Sequence, residues 1–477
     1  MVILGLNAYH GDASAAIVVD GKLVAAVEEE RFNRIKHCAG FPVESIRYCL
    51  KAAGVGLGDI DHIGISRDPS AHLHKKILHT ATRMAKRAVG LGPSAGTDGK
   101  GGVFGLIADR LANAAKVRDL RDELSKVLSV SKESLRAKFH NVEHHKAHLA
   151  SAFFVSPFAH AALLSLDGFG DFISTMWGAG EGTQFEVFDQ VEYPYSTGIA
   201  YTATTQFVGF PHYGDEGKVM GLAPYGRARY MDEFRDIIRT EDDTPGFTLN
   251  LDYFLHHSEG VEMSWDEGSP RIGRLFSDKF IDTFGPPRLP SQSLTAREED
   301  IAASLQLRLE EVGFHILRQL YARTGLTDLC LAGGVALNSV MNGKILLHTP
   351  FRRVFVQPAA GDNGTALGVC YYIYNQFLKQ SRGFVMEGAY TGPEFTDDEI
   401  RSVLVDAGVA YERFDDREVT RRAAQDIADG AVTGWFQSRM EFGPRALGNR
   451  SIVADPRRAD MREILNQRIK KREPFRP

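Results

Sequence analysis

A three-strand pattern occurs twice in this chain, and the repeat limits the folds open to it more than any other feature. Val2 to Leu6 is an apolar run, followed by Asn7-Ala8-Tyr9-His10-Gly11-Asp12, a second run Ala15 to Val19, the dipeptide Asp20-Gly21 and a third run Lys22 to Val27. Asp-Gly between β-branched runs predicts a two-residue type I′ hairpin, because both central residues of that turn need positive φ. The order returns as the strand Ala161 to Leu166, the loop Asp167-Gly168-Phe169-Gly170-Asp171, the strand Ile173 to Trp177, a glycine-rich turn and the strand Phe185 to Val191. Two copies of strand, Asp/Gly loop and hairpin, each followed by helices, predict an internal duplication in an α/β chain. Coincidence of two ordinary hairpins is the competing reading.

Length leaves room for more than the repeat. At 477 residues the chain predicts two or three domains, and 43% hydrophobic with 25% charged residues is ordinary globular composition. A net charge of -5 argues against a polyanionic partner, so no nucleic acid is expected. Cys38, Cys49, Cys330 and Cys370 are scattered, without a CxxC pair, which speaks against a disulfide framework or a thiolate zinc site and for a reducing cytoplasm. The N-terminus reads as a strand rather than a signal peptide. No apolar run reaches the ~20 residues of a membrane span, so a soluble protein with no membrane partner is expected.

Phe41 to Gly54 has helical spacing, with Pro42 suited to its first turn. Asp68 to Gly102 reads as a solvated basic insertion. Thr295-x-x-Glu298 is a capping box ahead of Ile301, Leu305, Leu309, Val312, Ile316 and Leu320 at helical spacing, which leads to the strand Leu329 to Leu331. Composition shifts near Lys379 to Thr391, and a second unit begins by Phe395.

The sharpest chemical signal is Glu143-His144-His145-Lys146-Ala147-His148. Four residues apart on a helix, His144 and His148 share a face and are able to share a metal; an ordinary structural role stands beside that reading. A third, oxygen ligand would complete a two-His-one-carboxylate site suited to Fe(II) and related ions. Asp362, in Gly361-Asp362-Asn363-Gly364, is the candidate, or else it caps the apolar helix that follows. Gly333-Gly334 before Asn338 would let backbone amides approach a phosphate at a strand-to-helix junction. His212 to Gly226 reads as a glycine-dense loop that places Lys218 to meet an anion. Arg439, Arg445 and Arg450 form a guanidinium set suited to phosphate, with Leu447 and Ile452 expected to seat them against a core, and Lys470, Lys471, Arg472 and Arg476 extend the positive charge.

Those residues resemble the carbamoyltransferase family of NodU and CmcH type, which includes antibiotic O-carbamoyltransferases and nodulation proteins. The resemblance runs through Gly5-Leu6-Asn7 with His10-x-Asp12-Ala13-Ser14-Ala15, Glu28-Glu29-Glu30-Arg31-Phe32 with Lys36-His37, the histidine motif, Glu216-Gly217-Lys218-Val219-Met220-Gly221-Leu222-Ala223, Gly333 to Asn338, and Met440 to Ile452. It implies an α/β architecture. Residues 1–380 would form a duplicated actin-like/sugar-kinase/chaperone-ATPase (ASKHA) fold similar to tRNA threonylcarbamoyl transferase, and residues 391–477 a partial YrdC-like α/β domain. It further implies that carbamoyl phosphate and ATP, with Mg2+, give carbamoyl adenylate in the second domain, and that the first passes the carbamoyl group to a small-molecule hydroxyl.

The resemblance also assigns roles. His144, His148 and Asp362 would hold a divalent metal, Fe2+ being the expected ion. Gly333, Gly334 and Asn338 would contact the nucleotide, His10 would be the general base, with Asp12 and Lys218 beside it in the catalytic set, and Arg439, Arg445, Arg450, Lys470 and Arg472 would grip phosphates. A homodimer is the expected assembly. Asp68 to Gly102 and Pro245 to Arg274 are the loops expected at the acceptor, whose identity stays open. Two departures shape the expectation. His10-Gly11-Asp12 carries one residue more than the His-Asp of many relatives, and the chain stops at Arg476-Pro477, short of the stretch that completes a YrdC-like domain, so adenylate formation is expected to be weak or absent. A tRNA threonylcarbamoyl transferase-like enzyme and a non-catalytic actin- or chaperone-type ATPase are the alternatives.

Overall fold

The computed structural model describes residues 1–71, 120–242, 244–261, 263–264 and 270–476. Apart from Asp68 to Ala71, the basic insertion expected at Asp68 to Gly102 lies outside the described residues. Two compact units are present, Met1–Glu387 and Gly388–Pro477. Residues 381–387 stay with the first because Arg382 donates to the carbonyls of Phe153, Ser156 and Phe158, and Met386 N–H to that of Val155.

The first unit is built on two five-stranded sheets of identical order. In one, β1 (Val2–Asn7), β2 (Ser14–Val19) and β3 (Lys22–Glu28) form an antiparallel meander, and β4 (His62–Ile65) and β5 (Lys138–Asn141) continue from β1 in parallel, giving β3-β2-β1-β4-β5. In the other, β6 (His160–Gly170), β7 (Ile173–Glu181) and β8 (Gln184–Glu192) are the meander, and β9 (Asp328–Ala332) and β10 (Arg353–Val356) extend from β6, giving β8-β7-β6-β9-β10. Counted within each copy the order is the same, which is the duplication expected of the actin-like and sugar-kinase fold. Asp20 and Gly21 have φ of 48° and 80°, as the type I′ turn demands.

The second copy departs from expectation at its hairpin. Gly178 and Gly180 lie inside β7, and the chain turns at Gly182, whose φ is 55°. The strand needs glycine for another reason: a Cβ on Gly178 would stand 1.9 Å from the Glu186 carbonyl oxygen, and one on Gly180 would meet the Phe153 ring at 2.5 Å.

Helix α1 (Val43–Ala53) starts after Pro42, which sits at the cap rather than in the first turn, and ends on left-handed Gly54. The decisive helices are α2 (His144–Phe153), after β5, and α3 (Thr365–Tyr371), after β10. Each crosses to the other copy, α2 packing on β6 and β9 and α3 on β1 and β2, and the two pack on each other. Glycine makes the crossing close: a Cβ on Gly5 of β1 would lie 2.0 Å from the Ala366 oxygen, and one on Gly368 would lie 1.8 Å from the Ala147 oxygen. Ile3, Leu4, Leu6, Ile17 and Val27 on one sheet and Leu163, Leu164, Leu329 and Leu331 on the other are fully buried. Helix α4 (Ala296–Thr324) opens with the expected Thr295/Glu298 capping box.

The second unit is thinly layered. Its strands β11 (Thr433–Phe436) and β12 (Arg450–Val453) form a two-stranded antiparallel ribbon, and its helices α5 (Asp397–Asp406) and α6 (Asp416–Ala428) bury no residue. Leu447 and Ile452, expected against a core, are 48% and 38% exposed. A two-stranded ribbon buries little on either face, so Ile452 on it stays at the surface, and Leu447 lies in the segment before its second strand.

Candidate active site

Four side chains converge where the two crossing helices begin. Glu143 caps α2, accepting from His145 N–H and Lys146 N–H, and the helix periodicity then places His144 and His148 one turn apart on one face. Asp362 opens a 3-10 turn, Asp362–Gly364, that leads into α3. Its carboxylate does not cap that helix. Its oxygens lie 3.4 Å from His144 Nε2, 3.7 Å from His148 Nε2 and 3.4 Å from His10 Nδ1.

The fourth member is Asp167, which sequence reasoning placed in a loop without a role. Asp167 Oδ2 is 3.3 Å from His144 Nε2 and 3.8 Å from His148 Nε2, while Oδ1 accepts the Gly334 N–H at 2.8 Å. The duplication itself was the available signal, since Asp167 comes after the apolar run of the second copy as His10 and Asp12 come after that of the first; the stretch expected as a loop continues β6 to Gly170, with an irregular register after Leu166.

These four residues suit a divalent cation. One ligand atom from each lies within 4.8 Å of every other, and the two histidine Nε2 atoms are 3.0 Å apart. Bonds of about 2.1 Å meeting at 90–110° separate donor atoms by about 3.0–3.4 Å, and the histidine and carboxylate separations here, 3.0 to 3.8 Å, are close to that. Charge agrees: His144 and His148 are fully buried and both carboxylates nearly so, and two buried carboxylates call for compensating positive charge, which a dication would supply. Burial alone would raise both carboxyl pKa values and lower both imidazole values. The mutual hydrogen bonds and charges overturn that, holding Asp167 and Asp362 well below the usual carboxylate range and His144 well above the usual imidazole value.

His10 stands at the edge of this centre, its ring stacked on His144 with centroids 5.2 Å apart. Burial, helped by nearby Arg67, pushes its pKa below the ordinary value against the opposing pull of Asp362. His145 points away, bonding Ser165 through Nδ1 and the Ile173 carbonyl through Nε2, so it is structural. Asp12 is not one of the four clustered residues; its Oδ1 is 2.8 Å from His37 Nδ1.

The segment His212 to Gly226, expected as a loop, is mostly helical: Glu216–Leu222 is an α-helix followed by a 3-10 turn at Ala223–Tyr225. Val219 and Leu222, three apart, bury on one face and outweigh the poor helix propensity of Gly217 and Gly221. Lys218 on this helix pairs with Asp215 at 2.9 Å. The Gly333 and Gly334 amides both donate within the protein, to Ala360 O and Asp167 Oδ1. Asn338 caps the helix Ser339–His348 and exchanges hydrogen bonds with Gln306.

In the second unit, Arg450 donates to the carbonyls of Gln437, Asn449, Pro393 and Ser438 and stacks 3.5 Å over the Phe436 ring, while Arg439 donates to those of Thr391 and Gly392. Arg472 donates to Asn466 Oδ1. Arg445 and Lys470 are exposed.

A duplicated α/β unit whose crossing helices meet over two imidazoles and two carboxylates has the strand order expected of an actin-like fold and a cluster able to take a cation. A model of the carbamoyltransferase N-terminus matches residues 2–371, and one of the carbamoyltransferase C-terminus matches residues 424–477. The chain belongs to the carbamoyltransferase family and is an enzyme. It is 40% identical to an uncharacterized protein of Synechocystis sp. over 100% of this chain and 74% of that protein. It is 37% identical to nodulation protein NolNO of Sinorhizobium fredii over 99% of this chain and 62% of that one, and 34% identical to 3'-hydroxymethylcephem-O-carbamoyltransferase of Amycolatopsis lactamdurans over 60% and 47%. The chain thus spans from about half to three-quarters of the length of these relatives. Among solved structures, HypF of T. kodakarensis is 11% identical with a TM-score of 0.37 over 79% of this chain and 48% of that one. ROK hexokinase of Thermus thermophilus is 13% identical with a TM-score of 0.36 over 80% and 100%. Among the described residues no helix is long and apolar enough to cross a membrane.

Proposed function

We propose that this chain transfers the carbamoyl group of carbamoyl adenylate to a hydroxyl of a small molecule. The observation that carries the reading is the position of His10 in a chain of this family: its Nδ1 is directed at Asp362, and its partly exposed ring lies beside the four-residue centre. The hydroxyl proton passes to His10 as the oxygen attacks the carbamoyl carbon. The bond from that carbon to the phosphate oxygen breaks, and the products are a carbamate ester, AMP and a proton. A hydroxyl is a poor nucleophile at neutral pH, and a neutral imidazole is the matching base. His144, His148, Asp167 and Asp362 would hold a divalent cation, Fe2+ being the first candidate, which when bound supplies charge stabilisation beside the departing phosphate.

Asp12 shapes the loop that carries His10, and Lys218 contributes positive charge on its helix. Asn338, Gly333 and Gly334 would meet a nucleotide through packing, since the two glycine amides are engaged internally. In the second unit, carbamoyl phosphate and ATP with Mg2+ would form the adenylate. There Arg445 and Lys470 would meet phosphate, while Arg439 and Arg450 brace backbone carbonyls and Arg472 holds the Asn466 side chain. The names of the two relatives, one a nodulation protein and one a cephem O-carbamoyltransferase, support a small-molecule acceptor.

The test is mass spectrometry of products formed from supplied carbamoyl adenylate and a panel of hydroxyl acceptors. A carbamoylated acceptor with release of AMP is the expected result, lost in His10→Ala. Full transfer by His10→Ala would remove His10 as base, and no transfer to any acceptor, nor to water, by the metal-loaded protein would remove the reading.

A further inference from the structure

The loop that carries His10 is held in an unfavourable backbone conformation, and the residue holding it is His37. Tyr9, Asp12 and His37 all have left-handed φ, at 61°, 57° and 56°, although none is glycine. Such residues persist only where their surroundings over-determine them, and they gather at functional sites. Here the three share one set of braces. His37 Nδ1 is 2.8 Å from Asp12 Oδ1, and its backbone N–H donates to Glu30 Oε2 at 2.8 Å. The residues after it complete the clamp, with Ala13 N–H donating to the Cys38 carbonyl and Tyr9 N–H to that of Gly40, both at 2.9 Å. From inside, Asn7 Nδ2 donates to the Gly11 and Asp12 carbonyls at 3.0 Å.

The far side of the His37 ring is fixed as well. Tyr213 packs against it edge-on at 5.1 Å, and Gly214 lies so close that a Cβ there would be 2.2 Å from His37 Nε2. Tyr213 also backs the extra residue of the His10-Gly11-Asp12 motif, since a Cβ on Gly11 would lie 3.1 Å from its hydroxyl. The imidazole therefore lies between the His10 loop and the start of the Lys218 helix, in the rotation that meets Asp12.

We infer that His37 is a positioning residue: by gripping Asp12 it fixes the strained loop that presents His10 to the reacting hydroxyl. The effect on turnover rests on the carbamoyl-transfer reading; the positioning itself does not. Two variants of the full chain test it. His37→Gly removes the grip while relieving the left-handed strain, so the fold is not penalised by the backbone change. His37→Asn keeps a donor at the place of Nδ1 and tolerates positive φ.

Hydrogen exchange of the Tyr9 and Ala13 amides should accelerate about tenfold or more in His37→Gly, the loss expected for a hydrogen bond to a charged group, and stay near wild type in His37→Asn. With supplied carbamoyl adenylate and water as acceptor, AMP release should show kcat about 10- to 100-fold lower in His37→Gly, KM within about twofold, and recovery in His37→Asn. Wild-type exchange in His37→Gly, or no recovery in His37→Asn, would overturn the inference. If wild-type protein releases no AMP, the carbamoyl-transfer reading falls, and the exchange rates alone decide the positioning.

Discussion

Replacing Gly170 by alanine should abolish cation binding at the candidate centre without altering any of its four residues. Gly170 ends β6, and a Cβ built on it would lie 2.0 Å from Cδ2, 2.2 Å from Cγ and 2.7 Å from Nε2 of His144. Carbon atoms in contact sit about 3.5 Å apart, so the imidazole must retreat by more than about 1 Å. Metal–ligand bonds tolerate only about 0.2 Å, and His144 has nowhere to go, being fully buried on a helix that packs on two strands of the sheet. The expected cost is about 100-fold or more in cation affinity, with about 1–3 kcal/mol of overpacking in the unfolding free energy. Metal content after reconstitution and dialysis, together with calorimetric titration of Fe2+ under anaerobic conditions, measures the first; urea denaturation measures the second. Gly168→Ala is the control in the same segment, since a Cβ there meets nothing within 4 Å. A Gly170→Ala protein that binds the ion as tightly as wild type, or a Gly168→Ala protein that loses it equally, would refute the assignment of His144 as a ligand held by this packing.

The same centre predicts that Asp167→Asn, which keeps shape and removes one of two negative charges, lowers metal content at least as far as Gly170→Ala does; full occupancy would return the site to three ligands. Stability should fall in mild acid, because His256 is fully buried and burial lowers its pKa from 6.5 to about 4. The unfolded chain takes up the proton first, so this stabilisation is complete above the unfolded value and is lost as pH falls from 6.5 towards 4, reaching about 2 kcal/mol by pH 5. Urea midpoints at pH 7, 6 and 5 should therefore drop less steeply for His256→Phe than for wild type, and parallel drops would count against it. Thr295→Ala removes the side-chain half of the capping box at the head of α4, the Oγ1 that accepts the Arg297 N–H at 3.3 Å and donates to Glu298 Oε2 at 2.6 Å, and should cost about 1 kcal/mol in chemical denaturation.

Features governed by neighbours along the chain were legible in advance. Asp20-Gly21 reads as a type I′ turn because both residues are small enough for positive φ whatever surrounds them, and Thr295/Glu298 reads as a helix start because its hydrogen bonds close over three residues. Glycine was less legible, since it serves turns and close approaches alike. Gly178 and Gly180 looked like a turn but admit Glu186 and Phe153 to a strand, and the glycines of His212 to Gly226 concealed a helix set by burial of Val219 and Leu222. Arginine was ambiguous for a similar reason. Arg450 carries the charge of a phosphate receptor, yet its guanidinium holds four backbone carbonyls, a role that spacing does not reveal.

Sequence alone determined the duplication, the shared face of His144 and His148 and the family resemblance, because each depends on order, on a helical period of 3.6 residues or on a run of motifs. Only the tertiary structure decided that Asp167 is the fourth member, that Asp362 turns to the histidines instead of capping its helix, and that His37 grips Asp12. What brings Asp167 and Asp362 to the histidines is the reciprocal crossing of α2 and α3 over glycines that let three backbones come within van der Waals reach, while His37 reaches Asp12 because residues 38–40 hydrogen-bond back onto the loop after β1. Distances of that kind come from packing, which no local pattern encodes.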